Sequence, residues 1–318
     1  MSFVKYPSIE NHYRGKFIRE AFQYNPELHN AEWVVQEKID GANISLIFYT
    51  DGREFQFAKR TSLVDDKFYG FQEVLEREDV RHFIQAVQDA VNKYDGVSFI
   101  TLYGELYGPG IQKRIDYGTE KSVVFYDMAV DGELVKPCEF RAFSRVHLVD
   151  SSFDRFFVPE IGRFKSFQEA MDVDAEFVTK LNPAGGDICE GVVIKPDDVV
   201  PNRIFYIKKK NEKFQEQART KTRKDPNTQQ SQALTGIQDL FSTYLTENRL
   251  KSVFSKHGEI ETPKDMGKYI KLVMEDAKED FLKDHKDKYM SKELSDKERG
   301  KVFGIAGKIV ASLLRKYT

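Results

Sequence analysis

The sequence predicts an α+β protein in two parts, a larger domain built on antiparallel sheets and a small all-α domain after it. Three observations carry this. Residues 31–210 read as short runs rich in β-branched and aromatic residues, separated by turns and a few helical stretches. Residues 211–230 are polar and contain Pro226, which marks a boundary or a mobile segment. Beyond them the apolar residues recur with a period near 3.6. The expected domains are 1–228 and 229–318.

In chain order, Glu32–Lys38, Ala42–Tyr49 and Phe55–Lys59 are expected strands, with Asp40-Gly41 and Asp51-Gly52 as the turns between them. Phe71–Tyr94 places Val74, Leu75, Phe83, Ile84, Val87 and Val91 at helical spacing. Strand-like runs return at Ser98–Tyr103, Ser122–Met128, Gly191–Ile194 and Arg203–Lys208. In the last part, Leu234, Ile237, Leu240, Phe241, Tyr244 and Leu245 form one helical stripe. Met266, Ile270, Val273 and Met274 form a second, and Val302, Ile305, Ile309 and Leu313 a third. Thr262 before Pro263 reads as a helix N-cap. No internal repeat suggests a solenoid.

The composition sets limits. With 318 residues, 40% of them apolar and 13% aromatic, the chain can build one large core or two domains, and disorder is not expected. A net charge of −2 gives no global sign of nucleic-acid binding, so any basic surface must be local. Two cysteines, Cys138 and Cys189, make no disulfide framework, and a reducing compartment is expected. The histidines show no metal-cage spacing. No apolar run approaches about 18 residues, and the N-terminus lacks a signal core or transit pattern. A soluble intracellular protein follows; a monomer in the cytoplasm, or in the host cytoplasm if viral, is the further expectation.

Six short motifs carry chemistry. The first is Glu37-Lys38-Ile39-Asp40-Gly41-Ala42-Asn43, a lysine at the end of an apolar strand. Only a neutral amine is a nucleophile, and desolvation favours the neutral form. The plain alternative is a surface lysine before an Asp-Gly turn. The second is Lys59-Arg60-Thr61-Ser62, where Arg60 could clamp a phosphate. In the third, Tyr103-Gly104-Glu105 leads into Gly108-Pro109-Gly110, so Glu105 would end a buried strand and accept hydrogen bonds. No Gly-Lys-Ser/Thr follows, which excludes a Walker A loop.

The fourth is Val124-Phe125-Tyr126-Asp127, an aromatic strand end that could stack on a purine. The fifth is Glu190-Gly191 opening an apolar strand, a carboxylate suited to a hydrated Mg²⁺. The sixth is Lys208-Lys209-Lys210. Alternation sends Lys208 and Lys210 to one face, where two ammoniums can stabilise charge on a phosphate and favour a neutral neighbouring amine. Taken singly, each has a bland reading as a turn, a core aromatic or a solvated strand end. Together, in this order, they match the motif series of the covalent nucleotidyltransferases: ATP- and NAD-dependent ligases and mRNA capping enzymes.

More of the chain resembles one branch. Ser8-Ile9-Glu10-Asn11-His12-Tyr13, Lys16-Phe17-Ile18 and Gly108-Pro109-Gly110-Ile111-Gln112-Lys113 are similar to the phage RNA ligase 2 family, which includes the kinetoplastid RNA-editing ligases. So are Asn248-Arg249-Leu250, Ser255–Ile260 and Pro263-Lys264-Asp265 in the tail. The resemblance implies a nucleotidyltransferase (ATP-grasp-like ligase) domain and an ATP-dependent RNA ligase. It would join 3′-hydroxyl and 5′-phosphate RNA ends, at nicks in duplex RNA or RNA–DNA, with ATP and Mg²⁺ or Mn²⁺. It assigns Lys38 to lysyl–AMP, and Glu37, Asn43, Arg60, Glu105, Tyr126, Glu190, Lys208 and Lys210 to the nucleotide. Glu190 would also organise the metal through water. Eight Lys and Arg lie between 208 and 224, a candidate track for nucleic acid. Lys213 and Arg219 from it, with Arg60, are the expected RNA contacts.

Two departures stand out. This chain has Asp40-Gly41-Ala42 where the phage enzyme has His-Gly-Thr, and Tyr126 where the stacking residue is usually Phe, with Phe125 adjacent. The rival readings are a DNA ligase or capping guanylyltransferase, and, in another class, a non-catalytic nucleic-acid-binding module. A binder needs no nucleophilic lysine.

Overall fold

A computed structural model describes residues 4–64, 68–201, 204–215 and 232–317. The expected boundary at 228/229, Arg203 and Arg219 lie outside the described residues. The chain divides into two compact units, Met1–Lys213 and Phe214–Thr318.

Among the described residues the first unit has eleven strands: β1 (Glu10–Asn11), β2 (Trp33–Glu37), β3 (Ala42–Tyr49), β4 (Gln56–Lys59), β5 (Ser62–Leu63), β6 (Phe99–Tyr107), β7 (Ser122–Val130), β8 (Glu133–Leu134), β9 (Glu160–Phe164), β10 (Gly191–Pro196) and β11 (Ile207–Lys210). Its helices are α1 (Gly15–Tyr24), α2 (Phe71–Leu75), α3 (Glu78–Val91), α4 (Pro137–His147) and α5 (Phe167–Asp172). The strands form two sheets, ordered β1-β11-β10-β2-β9 and β5-β4-β3-β6-β7-β8. All pairings are antiparallel except β1 with β11, which is parallel.

Each sheet buries one face under helices. Along β3, Ala42, Ile44, Leu46 and Phe48 join a core with Val80, Phe83 and Val87 of α3 and Phe140 and Phe143 of α4. Alternation then turns Asn43 and Ser45 the other way. In the first sheet, Trp33, Val35, Ile194 and Ile207 pack with Ala21 of α1 and Ala170 of α5. The opposite faces meet where Lys195 of β10 bonds Asp127 of β7. Burying these apolar faces drives the fold.

Several expectations change. Asp40-Gly41 is not a hairpin turn, because β2 and β3 lie in different sheets and the segment crosses between them. The expected helix Phe71–Tyr94 is two helices. Arg77 between them is extended (φ −64°, ψ 137°), and its guanidinium bonds Asp79 and the Lys121 carbonyl. The strand expected to end at Tyr103 runs on to Tyr107, so Glu105 lies inside it. The last strand begins at Ile207 and reaches Lys210.

The second unit is helical: α6 (Gln232–Ser242), α7 (Glu247–His257), α8 (Met266–Tyr289), α9 (Asp296–Arg299) and α10 (Ala306–Leu314), with short 3-10 turns before α8 and α10. Its core joins Leu234, Phe241, Leu250, Val273, Phe281 and Val310. Arg249 is buried there, donating to the Tyr244 carbonyl at 2.8 Å and to Asp276 and Asp280. Among the described residues no helix is long and apolar enough to cross a membrane.

Candidate active site

Lys38 stands where the chain leaves one sheet for the other. Its amide donates to the Gly191 carbonyl at 2.9 Å, extending the ladder one residue past β2. Three residues later Gly41 passes so close to β6 that a Cβ would lie 2.3 Å from the Leu106 carbonyl oxygen. Only glycine makes this crossing. Lys38 Nζ bonds Glu190 Oε2 at 2.7 Å, and Lys210 Nζ reaches Oε1 of the same carboxylate at 2.8 Å. Glu190 is placed by Gly191, whose φ of 146° and a Cβ position 2.1 Å from the Lys209 carbonyl exclude a side chain. Burial opposes the Glu190 charge, yet Lys210, Lys38 and Arg114 hold its pKa down at about 2.

The rest of β11 follows strand alternation. Lys209 points away from Glu190, and its ammonium donates at 2.8 Å to the carbonyls of Met171 and Val173 at the end of α5. Lys208 is half-buried, on the same strand face as Lys210.

On the second sheet, Asn43 of β3 lies opposite Glu105 of β6. Next to them β6 and β7 slip register. Tyr103 pairs with Asp127 and Gly104 with Phe125, so Tyr126 is the extra residue of a bulge. The slip sends the two aromatics to opposite faces. Phe125 is fully buried and stacks on Phe83 with centroids 5.5 Å apart. Tyr126 faces the other way, and its hydroxyl accepts a hydrogen bond from Asn43 Nδ2. Burial raises the Glu105 carboxyl to about 8; Lys38 opposes this, while Glu190 and Asp40 add to it. Glu105 is therefore held toward its neutral form.

Other candidates are more scattered. Glu37 turns its carboxylate to Thr179 Oγ1 at 2.5 Å and the Lys180 amide at 2.8 Å, not to the lysine cluster. Arg60 follows β4 with Nη2 3.4 Å from Ser8 Oγ. Lys213 is exposed.

Two pairs in this region escaped the sequence reading. Lys195 Nζ meets Asp127 Oδ2 at 2.7 Å with both side chains 1% exposed, and also bonds the Tyr126 carbonyl at 3.1 Å. Tyr6 donates its hydroxyl to the same carboxylate oxygen. Burial raises the Asp127 pKa and lowers that of Lys195, each opposed by the partner charge. A lone Asp and a lone Lys in two apolar strands were the available signal. The second pair, Asp40 with Arg114, had no local signal.

The arrangement suits a nucleotide. Two ammoniums around one carboxylate leave a positive surplus for phosphates. The Asn43 Oδ1 is buried without a protein partner, beside an aromatic ring on the site face. Among the described residues no three His, Cys, Asp or Glu side chains gather to cage a metal.

Comparison with known proteins matches residues 31–232 to the RNA ligase family and residues 228–303 to the C-terminal domain of T4 RNA ligase 2. Structures of a Naegleria gruberi RNA ligase are similar in fold. A mutant with ATP and Mn aligns with a TM-score of 0.51 at 16% identity, over 67% of this chain and 58% of that one. A mutant with AMP and Mn gives 0.52, and the enzyme with PPi 0.51, at the same identity and coverage. The chain thus spans 58% of the length of those ligases.

Proposed function

The chain belongs to the RNA ligase family, and from that premise we propose that it is an ATP-dependent RNA ligase with Lys38 as the AMP carrier. The observation that carries this is the single Glu190 carboxylate bridging Lys38 and Lys210. It brings together a nucleophile, a phosphate-binding cation and an acidic group from three separate motifs.

Lys38 reacts as a neutral amine, so its ion pair with Glu190 opens and one proton passes to water. It then attacks the ATP α-phosphate, forming the N–P bond as pyrophosphate departs. The AMP passes to an RNA 5′-phosphate, and a 3′-hydroxyl attacks that activated end and releases AMP. Lys208 and Lys210 contact phosphates, Tyr126 stacks on adenine, Glu105 meets the ribose, and Asn43, Arg60 and Glu37 complete the nucleotide site. Arg60, Lys213 and Arg219 serve the nucleic acid, at nicks in a duplex. A bound Mg²⁺, or Mn²⁺ in its place, would offset triphosphate charge, with Glu190 orienting its water shell. The Naegleria structures with ATP or AMP and Mn support this choice of ligands.

Incubation with α-labelled ATP and Mg²⁺ tests the reading. An acid-labile, alkali-stable protein adduct is expected, absent from Lys38→Ala. Label that persists in the variant would sink the assignment. We place the division of labour at the polar stretch. A chain ending near Gln230 should still form lysyl–AMP but fail to seal a nicked duplex.

A further inference from the structure

The motif around Lys38 contains an acidic residue, Asp40, with no task so far. Asp40 is 2% exposed and lies midway across the passage from β2 to β3. Its hydrogen bonds come from one loop, residues 108–118, which follows β6. Arg114 Nε donates to Asp40 Oδ2 at 2.8 Å and Arg114 Nη2 to Oδ1, a two-pronged pair. The Asp40 amide donates to the Tyr117 hydroxyl at 2.9 Å. The loop is itself fixed. Ile111, Ile115 and Tyr117 are buried. The Asp116 amide donates to Asp187 at 2.7 Å, and Asn182 Nδ2 donates to the Asp116 carbonyl at 3.2 Å. Asp187 lies three residues before Glu190. One loop therefore braces both the segment bearing Lys38 and the segment leading to Glu190.

We propose that Arg114 is a positioning residue for lysine adenylation, which acts by locking Asp40 and so fixing the inter-sheet crossing on which Lys38 stands. This rests on the reading of Lys38 as nucleophile. The physical reason is geometric. An in-line attack tolerates little displacement of the amine, and a shift of about 1 Å can cost about a hundredfold. Two parallel N–H···O bonds fix orientation as well as distance, which a lysine ammonium in the same place does not. The lock also suits this chain's departure from the phage enzyme, since a histidine at position 40 offers no pair of oxygens to a guanidinium.

A double-mutant cycle on the full chain tests it, with two readouts: single-turnover lysyl–AMP formation, and hydrogen exchange of the peptide spanning residues 38–42. Arg114→Ala should slow adenylation about 10–100-fold with the KM for ATP changed less than about twofold. Exchange of the crossing should rise. Arg114→Lys should recover only part of the rate, because the charge returns without the fork. In an Asp40→Asn background, Arg114→Ala should cost less than about threefold, since the partner is already altered. Equal losses in both backgrounds, or a change in KM alone, would show that Arg114 acts elsewhere. Unchanged exchange in Arg114→Ala would overturn the lock even if the rate fell. If the wild-type chain formed no adduct, the ligase reading itself would fail, and exchange alone would still decide whether Arg114 holds the crossing.

Discussion

The first unit contains two lysine–carboxylate pairs of the same length, and they stand in opposite surroundings. Lys38–Glu190 and Lys195–Asp127 are both 2.7 Å. Lys195 and Asp127 are each 1% exposed, and the pair is closed over by Tyr6 and the Tyr126 carbonyl. Lys38 is 19% exposed, and its carboxylate is shared with a second ammonium. Distance therefore does not tell the two pairs apart; surplus charge and access do. Under the proposed function, the open pair exchanges partners when a phosphate arrives. The sealed one joins the two sheets under the Tyr126 bulge, and opening it would strand a charge away from water.

The sharpest test of the contrast is to delete each lysine. Lys38→Ala should abolish lysyl–AMP, a loss of at least about a thousandfold in single-turnover rate, while the melting midpoint moves little. Lys195→Ala or Asp127→Ala should do the reverse first. Removing one partner of a sealed pair costs roughly 3–5 kcal/mol, a fall of about 6–20 °C in midpoint for a domain of this size. Replacing both by Met and Leu should recover most of that. If Lys195→Ala melts like the wild type, the pair is no strut.

A pH series probes the group beside the open pair. The Glu105 carboxyl is raised from 4.5 to about 8, with burial as the first cause. Its folded state holds a proton that the unfolded chain releases, so stability should fall as pH rises from about 4.5 to about 8 and level off above. Glu105→Gln removes that fall. The midpoint difference between variant and wild type should widen from pH 5 to pH 8 in thermal melts, and a constant difference would show that the carboxyl is not held neutral.

The smallest effect is expected at Lys209, which bonds the carbonyls ending α5. Lys209→Ala should cost about 1 kcal/mol of stability and less than about threefold in adenylation. Lys208→Ala or Lys210→Ala should cost far more adenylation than that. Equal adenylation losses at all three positions would contradict the alternation along β11.

Much of this was legible in local order. The change from strand-like runs to a period near 3.6 located the helical unit, because a helix buries one stripe whatever it packs against. The stripe itself was off by one in α10, where Ala306, Val310 and Leu314 are buried and Ile309 and Leu313 flank them. Alternation separated Lys209 from Lys210, since side chains on a strand obey a period of 2. The residue kinds near Lys38 and Glu190 raised the proposed chemistry before any geometry was known, and the fold brings those two residues together.

By itself, then, the sequence determined which residue types stand at each motif and which strand face each lysine of β11 takes, because those follow from side-chain type and backbone period. Only the tertiary structure decided who meets whom. Lys38 and Glu190 are 152 residues apart, and Asp40 and Arg114 are 74 apart. Such pairings depend on sheet order, on the crossing at Gly41 and on the register slip that turns Tyr126 rather than Phe125 toward the site. Those are set by how two buried sheet faces pack as wholes, and no short stretch of sequence encodes that.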